Sequence, residues 1–327
     1  MLWEYHASVR TESEIAVVIP AHHAGATIDG CLEGLHRQTH AADRFEVHVV
    51  DTGEDDTAEV VARRASSWDR LHYHRAERRG PGAQRNLGAS RAGEVPYLAF
   101  IDADCVPEED WLTAGVRRLD QGAQIVQGPT LAPEGEPSRA FAHSIAVSGP
   151  SPLFEGCNVM YAAPAFRDAG GFPVEPFERV GAPFGEDTEL AWHVLRAGGR
   201  VAFAPDAVVR HLILPQSFAA HLRYQWQIRH IPWLIRRVPE LRREALTAGL
   251  FLGRRSLRFD AAVAGLILAR RGRVAGLLAL PYASWLLSKA HGGPRIGAAR
   301  VSRHLASDSV RAAALVWGSL VSRQPVL

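Results

Sequence analysis

Apolar strand runs alternate with helical patterns through the first hundred residues, and this alternation constrains the fold more than any other feature. Residues 15–21 (Ile-Ala-Val-Val-Ile-Pro-Ala) and 45–51 (Phe-Glu-Val-His-Val-Val-Asp) read as buried strands, the first stopped by Pro20 and the second ending on Asp51. After the first, apolar positions 28, 31, 32 and 35 repeat at helical spacing, and after the acidic turn Glu54-Asp55-Asp56 a second helical pattern runs from Thr57 to Ala65. Strand and helix in alternation predict an α/β fold with a mostly parallel sheet. A further strand run, 97–101, passes straight into Asp102-Ala103-Asp104. The carboxyl ends of strands one, two and four would then bring Pro20, Asp51 and the Asp102/Asp104 pair to one rim, where open α/β sheets build their sites. Two carboxylates spaced i, i+2 there can share a hard divalent cation, which takes oxygen ligands and neutralises a diphosphate. The same residues also suit a solvated turn ahead of a helix beginning near Pro107-Glu108-Glu109-Asp110.

With 327 residues, 47% of them hydrophobic, the chain can bury one large core and a smaller appendage, which excludes collagenous and disordered classes. Three cysteines, Cys31, Cys105 and Cys157, are an odd number without paired spacing, so neither a disulfide framework nor a zinc cluster is indicated. A reducing, cytoplasmic setting is expected. The opening residues Met1 to His6 lack a basic region followed by an apolar one, so no signal peptide is expected.

Charge divides the chain. Through residue 216 there are 19 Arg/Lys against 31 Asp/Glu, and from 217 onward 18 against 4, so the two parts carry about −12 and +14. A catalytic domain over 1–230 and a basic, apolar helical region over 231–327 are therefore expected. Apolar runs at 261–268 and 274–287 flank Ala269-Arg270-Arg271-Gly272-Arg273, and neither reaches the roughly 20 residues needed to span a bilayer. Two readings stand: interfacial helices peripheral on an anionic, cytoplasmic membrane face, or a helical subdomain packed on the sheet with solvated arginines. No recognition motif accompanies the charge, so nucleic acid is not an expected partner.

Several motifs, in order, resemble the family 2 glycosyltransferases. They are Val18-Ile19-Pro20-Ala21, Val49-Val50-Asp51-Thr52-Gly53-Glu54-Asp55-Asp56, the segment from Gly80 ending in Arg85-Asn86-Leu87-Gly88, the Asp102-Ala103-Asp104 strand end, Phe154-Glu155-Gly156-Cys157-Asn158, Ala169-Gly170-Gly171-Phe172 and Gly185-Glu186-Asp187. The resemblance covers roughly residues 13 to 230. It implies a GT-A fold, a Rossmann-like, mostly parallel sheet flanked by helices, here with a C-terminal helical appendage. It also implies metal-dependent, inverting transfer of one sugar from a nucleotide-diphospho-sugar, with a UDP-sugar favoured over a GDP-sugar and the acceptor unnamed. On the matching positions, Asp102 and Asp104 would hold Mn2+ or Mg2+, with Asp104 the more direct ligand and His211 completing the shell. Pro20, Ala21, Asp51, Arg85, Asp102, Ala103, Asn158 and Glu186 would contact nucleotide or substrate, and Asp187 would be the general base. Each has a plainer alternative: Asp51 a strand-end turn residue, Arg85 a cation paired with Glu77 or Asp102, the Glu186-Asp187 pair a helix start, His211 a satisfied rim histidine.

The sequence also departs from the family. Gln225-Trp226-Gln227-Ile228-Arg229-His230 has one residue too many for the Gln-x-x-Arg-Trp signature of processive synthases, which argues against polymerisation. Asp51-Thr52-Gly53-Glu54-Asp55-Asp56 departs from the commoner acidic motif, which weakens a base-reading role for Asp55 and Asp56. A nucleotidyltransferase on a similar fold is the alternative enzyme, although Pro20-Ala21-His22-His23-Ala24-Gly25 lacks its Gly-rich loop followed by Arg and Lys. A non-catalytic nucleotide-binding scaffold is the alternative outside enzymes. An acceptor lipid-linked at an anionic membrane would fit the tail, and the loops of 128–157 would shape its pocket.

Overall fold

A computed structural model describes residues 13–135, 141–142, 144–174, 184–290 and 294–327. The amino-terminal residues and part of the 128–157 loop therefore lie outside the described residues. The chain forms two compact units. The first is built from residues 13–135, 144–174 and 185–213, the second chiefly from 214–290 and 294–327.

In the first unit, β1 (Ile15–Ala21), α1 (Ile28–His36), β2 (Phe45–Asp51), α2 (Thr57–Ala65), β3 (Leu71–Arg75), α3 (Pro81–Arg91) and β4 (Tyr97–Ile101) follow the alternation read from the sequence. Then come β5 (Cys105–Pro107), α4 (Trp111–Asp120), β6 (Ile125–Gln127), β7 (Thr130–Leu131), β8 (Asn158–Ala162), α5 (Ala163–Asp168), α6 (Glu186–Arg196), β9 (Val201–Phe203) and β10 (Val209–His211). The main sheet runs β3-β2-β1-β4-β8-β6-β9, and β5-β10-β7 make a small second sheet. Strands β1 to β4 are parallel, while β8 is antiparallel to both β4 and β6.

Because side chains alternate across a strand, each strand feeds two cores. Val17, Ile19, Val47 and Val49 pack with α1, α2 and α4 on one face, and Ala16, Val18, Leu98 and Phe100 with α5, α6 and Phe172 on the other. Each fully buried Val, Ile or Phe contributes about 1.5–3 kcal/mol of transfer free energy, which is why near-continuous apolar strands choose a sheet covered on both sides. Helix α3 lies on the second face, where Gly88 abuts Val18 so closely that a Cβ would sit 2.3 Å from a valine methyl.

The second unit contains α7 (Phe218–Gln227), α8 (Ile231–Arg237), α9 (Leu241–Glu244), α10 (Arg254–Leu268), α11 (Leu280–Leu287) and α12 (Pro294–Ser322). The two apolar runs of the tail become the end of α10 and a 3-10 stretch leading into α11. Phe259, Ala262 and Tyr282 form a small core there, and the Tyr282 hydroxyl donates to buried Asp308 at 2.8 Å. No described helix is long and apolar enough to cross a membrane.

Candidate active site

Parallel pairing of β2-β1-β4 brings the ends of these strands side by side, with Ala21 in register with Asp51. Past β4 the chain turns at once, the Cys105 N–H donating to the Asp102 carbonyl at 3.0 Å, and re-enters as β5. Strand β10 pairs antiparallel with β5, setting His211 opposite Cys105, and the Leu212 N–H donates to the Asp104 carbonyl at 3.0 Å. A histidine more than a hundred residues away is thereby clipped beside the second rim acid.

The His211 ring is buried. Its Nδ1 lies 2.8 Å from the Leu212 carbonyl, which only accepts, so Nδ1 carries a proton, and Nε2 lies 3.7 Å from Asp104 Oδ2. One ligand atom each from Asp104, Cys105 and His211 falls within 4.8 Å of the others. Contact with Cys157, burial and the nearby acids hold the Cys105 thiol protonated. The donor set is then a carboxylate and an imidazole, which suits a divalent cation and fits poorly with a soft, thiolate-seeking metal.

Asp102 stands apart from that cluster. Arg85 donates from Nη2 to Asp102 Oδ1 at 2.7 Å and brings Nη1 within 3.6 Å of Glu186 Oε1. The guanidinium is buried against Gly156, where a Cβ would come within 2.8 Å of Cζ, so the close approach requires glycine. The same Gly156 gives its N–H to Asp187 Oδ2 at 2.9 Å, while the Thr188 N–H binds Oδ1 at 2.8 Å. Gly185, at φ 70°, turns the chain into α6 so that both acids stand in its first turn. Burial raises the pKa of Asp187 above its ordinary value, opposed by Arg85 and the two N–H groups. Burial and the neighbouring Asp187 raise that of Glu186, again against Arg85. Two neighbouring carboxyls with strengthened proton affinity are a suitable place for proton transfer.

At the ends of β1 and β2 the polar side chains are held by protein partners. Asp51 is fully buried, and its oxygens accept from the Gly53 N–H (2.7 Å), the Tyr73 hydroxyl (2.9 Å) and Arg75 Nη1 (3.3 Å). Arg75 also donates to the Gly53 carbonyl. Asp51 thus shapes the Thr52-Gly53 turn from beneath. Asp55 accepts from the Gly25 N–H at 2.9 Å and the Thr57 hydroxyl at 2.6 Å, tying the first rim loop to the second. Gln84 Nε2 bridges the carbonyls of Ala21 and Val50 at 2.7 and 2.8 Å. Pro20 is half-buried one residue before this bracket, and Ala103 is buried between the two rim acids. Asn158 is not laid open to ligand: its amide donates to the carbonyls of Pro129 and Ala207 and its Oδ1 accepts from Trp111 Nε1, all at 2.8–3.0 Å.

Sequence reasoning missed Tyr73, Arg75, Gln84 and the Gly156 N–H. The signal for the first two was alternation on β3 in register with β2, Asp51 opposite Arg75. Asn86 clamps Phe172 through both backbone atoms at 2.8 and 2.9 Å.

A seven-stranded, mostly parallel sheet flanked by helices, with acids gathered at its carboxyl-terminal rim, is a GT-A fold. Residues 16–172 match the model of glycosyl transferase family 2, and the chain is a glycosyltransferase of that family. It is similar to Glycosyltransferase AglE of Haloferax volcanii, 26% identical over 253 residues spanning 73% of this chain and 80% of that one. It is also similar to the Pre-mycofactocin glycosyltransferase of Mycobacterium tuberculosis, 27% identical over 213 residues, 61% of this chain and 42% of that one. Among solved structures, the mannosyltransferase PcManGT from Pyrobaculum calidifontis, in complex with GDP-Man and Mn2+, superposes with a TM-score of 0.55 at 20% identity, covering 96% of this chain and 88% of that one. S. aureus TarS 1-349 gives 0.52 at 14% identity, covering 95% and 92%. Membership of this family separates the chain from the nucleotidyltransferase alternative.

Proposed function

We propose that the chain transfers a single sugar, with inversion, from a nucleotide-diphospho-sugar to an acceptor hydroxyl, with a divalent cation as cofactor. The observation that carries this reading is the linked set Asp102, Arg85, Glu186 and Asp187, which ties the rim of β4 to the first turn of α6. Asp104 and His211 would hold Mn2+ or Mg2+, with Asp102 beside them. Such a cation supplies charge neutralisation to the diphosphate that leaves.

Asp187 is oriented by two N–H donors and accepts the proton of the acceptor hydroxyl as its oxygen bonds to the anomeric carbon and the bond to the diphosphate oxygen breaks. Arg85 holds Asp102 and Glu186 and offers positive charge near the sugar and phosphates. Asp51, through the Thr52-Gly53 turn, shapes the floor against which the base lies. PcManGT is solved with GDP-Man and TarS 1-349 with UDP-GlcNAc, so both bases belong in the test, with uridine favoured by the sequence resemblance. A thermal-shift series of UDP, GDP and their sugars, with and without Mn2+, tests donor and cofactor together, since a ligand that binds only the folded chain raises Tm. Stabilisation by one base, enhanced by Mn2+, is expected; no stabilisation by any of them would remove the reading.

The second unit supports contact with an anionic membrane or a lipid-linked acceptor. Leu266, Ile267, Val274, Leu277, Leu280 and Leu287 are 59–77% exposed, beside the exposed Arg270, Arg271 and Arg273. That pairing of apolar side chains with arginines is what an interfacial segment presents to charged lipid.

A further inference from the structure

Four titratable side chains with no part in the proposed transfer gather on one face of the sheet edge. Strands β2 and β3 are parallel, with His48 in register with His72. Residues spaced by two share a strand face, so Glu46 and His48 of β2 lie on the same side as His72 and His74 of β3. This is the face opposite Val47, Val49 and Leu71, whose side chains fill the larger core. Asp51 and the catalytic rim lie three residues further along β2 than His48, so the group is separate from the donor site.

His48 is 3% exposed, yet its Nε2 makes no hydrogen bond. Glu46 Oε1 stands 3.1 Å from that nitrogen without the geometry of a hydrogen bond, and Glu46 Oε2 stands 3.9 Å from His72 Nε2. The Glu46 oxygen and one nitrogen each from His48 and His72 lie within 4.8 Å of one another. Bonds of about 2.0–2.1 Å in a tetrahedron put neighbouring ligand atoms about 3.4 Å apart, a value between the two separations observed. On its other side His48 Nδ1 lies 3.0 Å from His74 Nε2, with the two rings nearly coplanar in orientation at 8°. A hydrogen bond on the far nitrogen is what orients a metal-ligating imidazole and fixes its tautomer. A buried, hydrogen-bond-lacking nitrogen 3.1 Å from a carboxylate oxygen, with a second imidazole alongside, is a poor arrangement for an apolar core and a good one for a cation.

We propose that Glu46, His48 and His72 form a second metal site, of the zinc or cobalt(II) class, with His74 as the orienting partner of His48. Two imidazoles and a carboxylate are the ligand set that borderline divalent metals select, unlike the carboxylate-dominated set at Asp104. Glu46 and His72 are 18% and 39% exposed at the side chain, so a fourth position is open to water or solvent exchange. The ion would fasten the edge strand β3 to β2, and with it Tyr73 and Arg75.

The test is isothermal titration of the full-length, chelator-treated chain with ZnCl2, with metal content measured after gel filtration. Asp104→Asn/His211→Asn is used as the background, so that the rim contributes no zinc. One zinc per chain is expected in that background. His72→Asn, at a partly exposed position, and Glu46→Gln should each weaken it by at least tenfold while circular dichroism stays unchanged, and His74→Phe should weaken it by about tenfold or more, the range for orienting partners. Absence of zinc in the background protein, or unaltered affinity in both His72→Asn and Glu46→Gln, would overturn the site. These outcomes are independent of glycosyl transfer.

Discussion

Arg85 donates to Asp102 at 2.7 Å from a fully enclosed position, so one of the two rim carboxylates is already held by a protein cation. The same guanidinium leans toward Glu186, and its removal would strand two acids. Breaking a buried pair costs about 3–5 kcal/mol, and because the Asp102 side chain is 27% exposed the lower figure, about 3 kcal/mol, is expected for Arg85→Ala. Urea unfolding measures it. An unchanged midpoint would mean that the pairings carry no energy.

Asp104→Asn keeps side-chain volume and removes the charge facing His211 Nε2. Mn2+ should then cease to strengthen donor binding, with Tm of the ligand-free chain nearly unaltered. Asp102→Asn should be milder toward the metal, since its partner is Arg85. Equal Mn2+ enhancement in Asp104→Asn and the parent would separate Asp104 from the cation.

The raised proton affinities of Glu186 and Asp187 have a definite sign. A carboxyl whose folded pKa lies above its unfolded value favours folding most at low pH, and that contribution disappears as pH rises through the folded pKa. Glu186→Gln should therefore be more stable than the parent at pH 8, with the gain shrinking toward pH 4. Transfer needs the ionised base, so kcat/KM should fall on acidification with an apparent pKa above 3.8 that belongs to the pair. A stability difference that grows on acidification would reverse the sign.

Asn158 is 4% exposed and makes three hydrogen bonds joining β8 to Trp111, Pro129 and Ala207. Asn158→Ala leaves these partners unsatisfied at about 1–3 kcal/mol each before relaxation, so a loss of about 3 kcal/mol is expected. Chemical denaturation reads it, and a loss under half that would place compensating water at the site.

Arg270/Arg271/Arg273→Ser should weaken binding to anionic liposomes, and salt should weaken it in the parent, because the attraction is screened. Cosedimentation at low and high ionic strength measures both. A parent chain that stays in the supernatant with anionic liposomes at low salt would leave the exposed leucines without a lipid role.

The alternation of strand and helix was legible because period-two and period-3.6 patterns are local, and β1, β2, α1 and α2 fall within a residue of their expected bounds. The rim was legible in part. Acids after β4 and at the start of α6 stand in local motifs, and the pairing of Arg85 with Asp102 was one of its plainer readings, whereas nothing local marked the Gly156 N–H bond to Asp187. Asp51 and Asn158 read as open ligand contacts because a polar residue at a strand end carries no mark of its burial. The structure gives both residues protein partners. Counting cysteines for a metal cluster was blind to Glu46, His48 and His72, which only the β2-β3 register brings together.

The most direct measurement of the proposed transfer compares donor binding with turnover in Asp187→Asn, together with the anomeric configuration of the parent's product. Asn retains the shape and can still accept an N–H, but cannot take up the acceptor's proton. Donor Kd should stay within a few-fold of the parent while kcat drops by about a hundredfold or more, and the product should carry the inverted configuration by NMR. Parental kcat in Asp187→Asn, or a product of retained configuration, would contradict the assignment of Asp187 as the base of an inverting transfer.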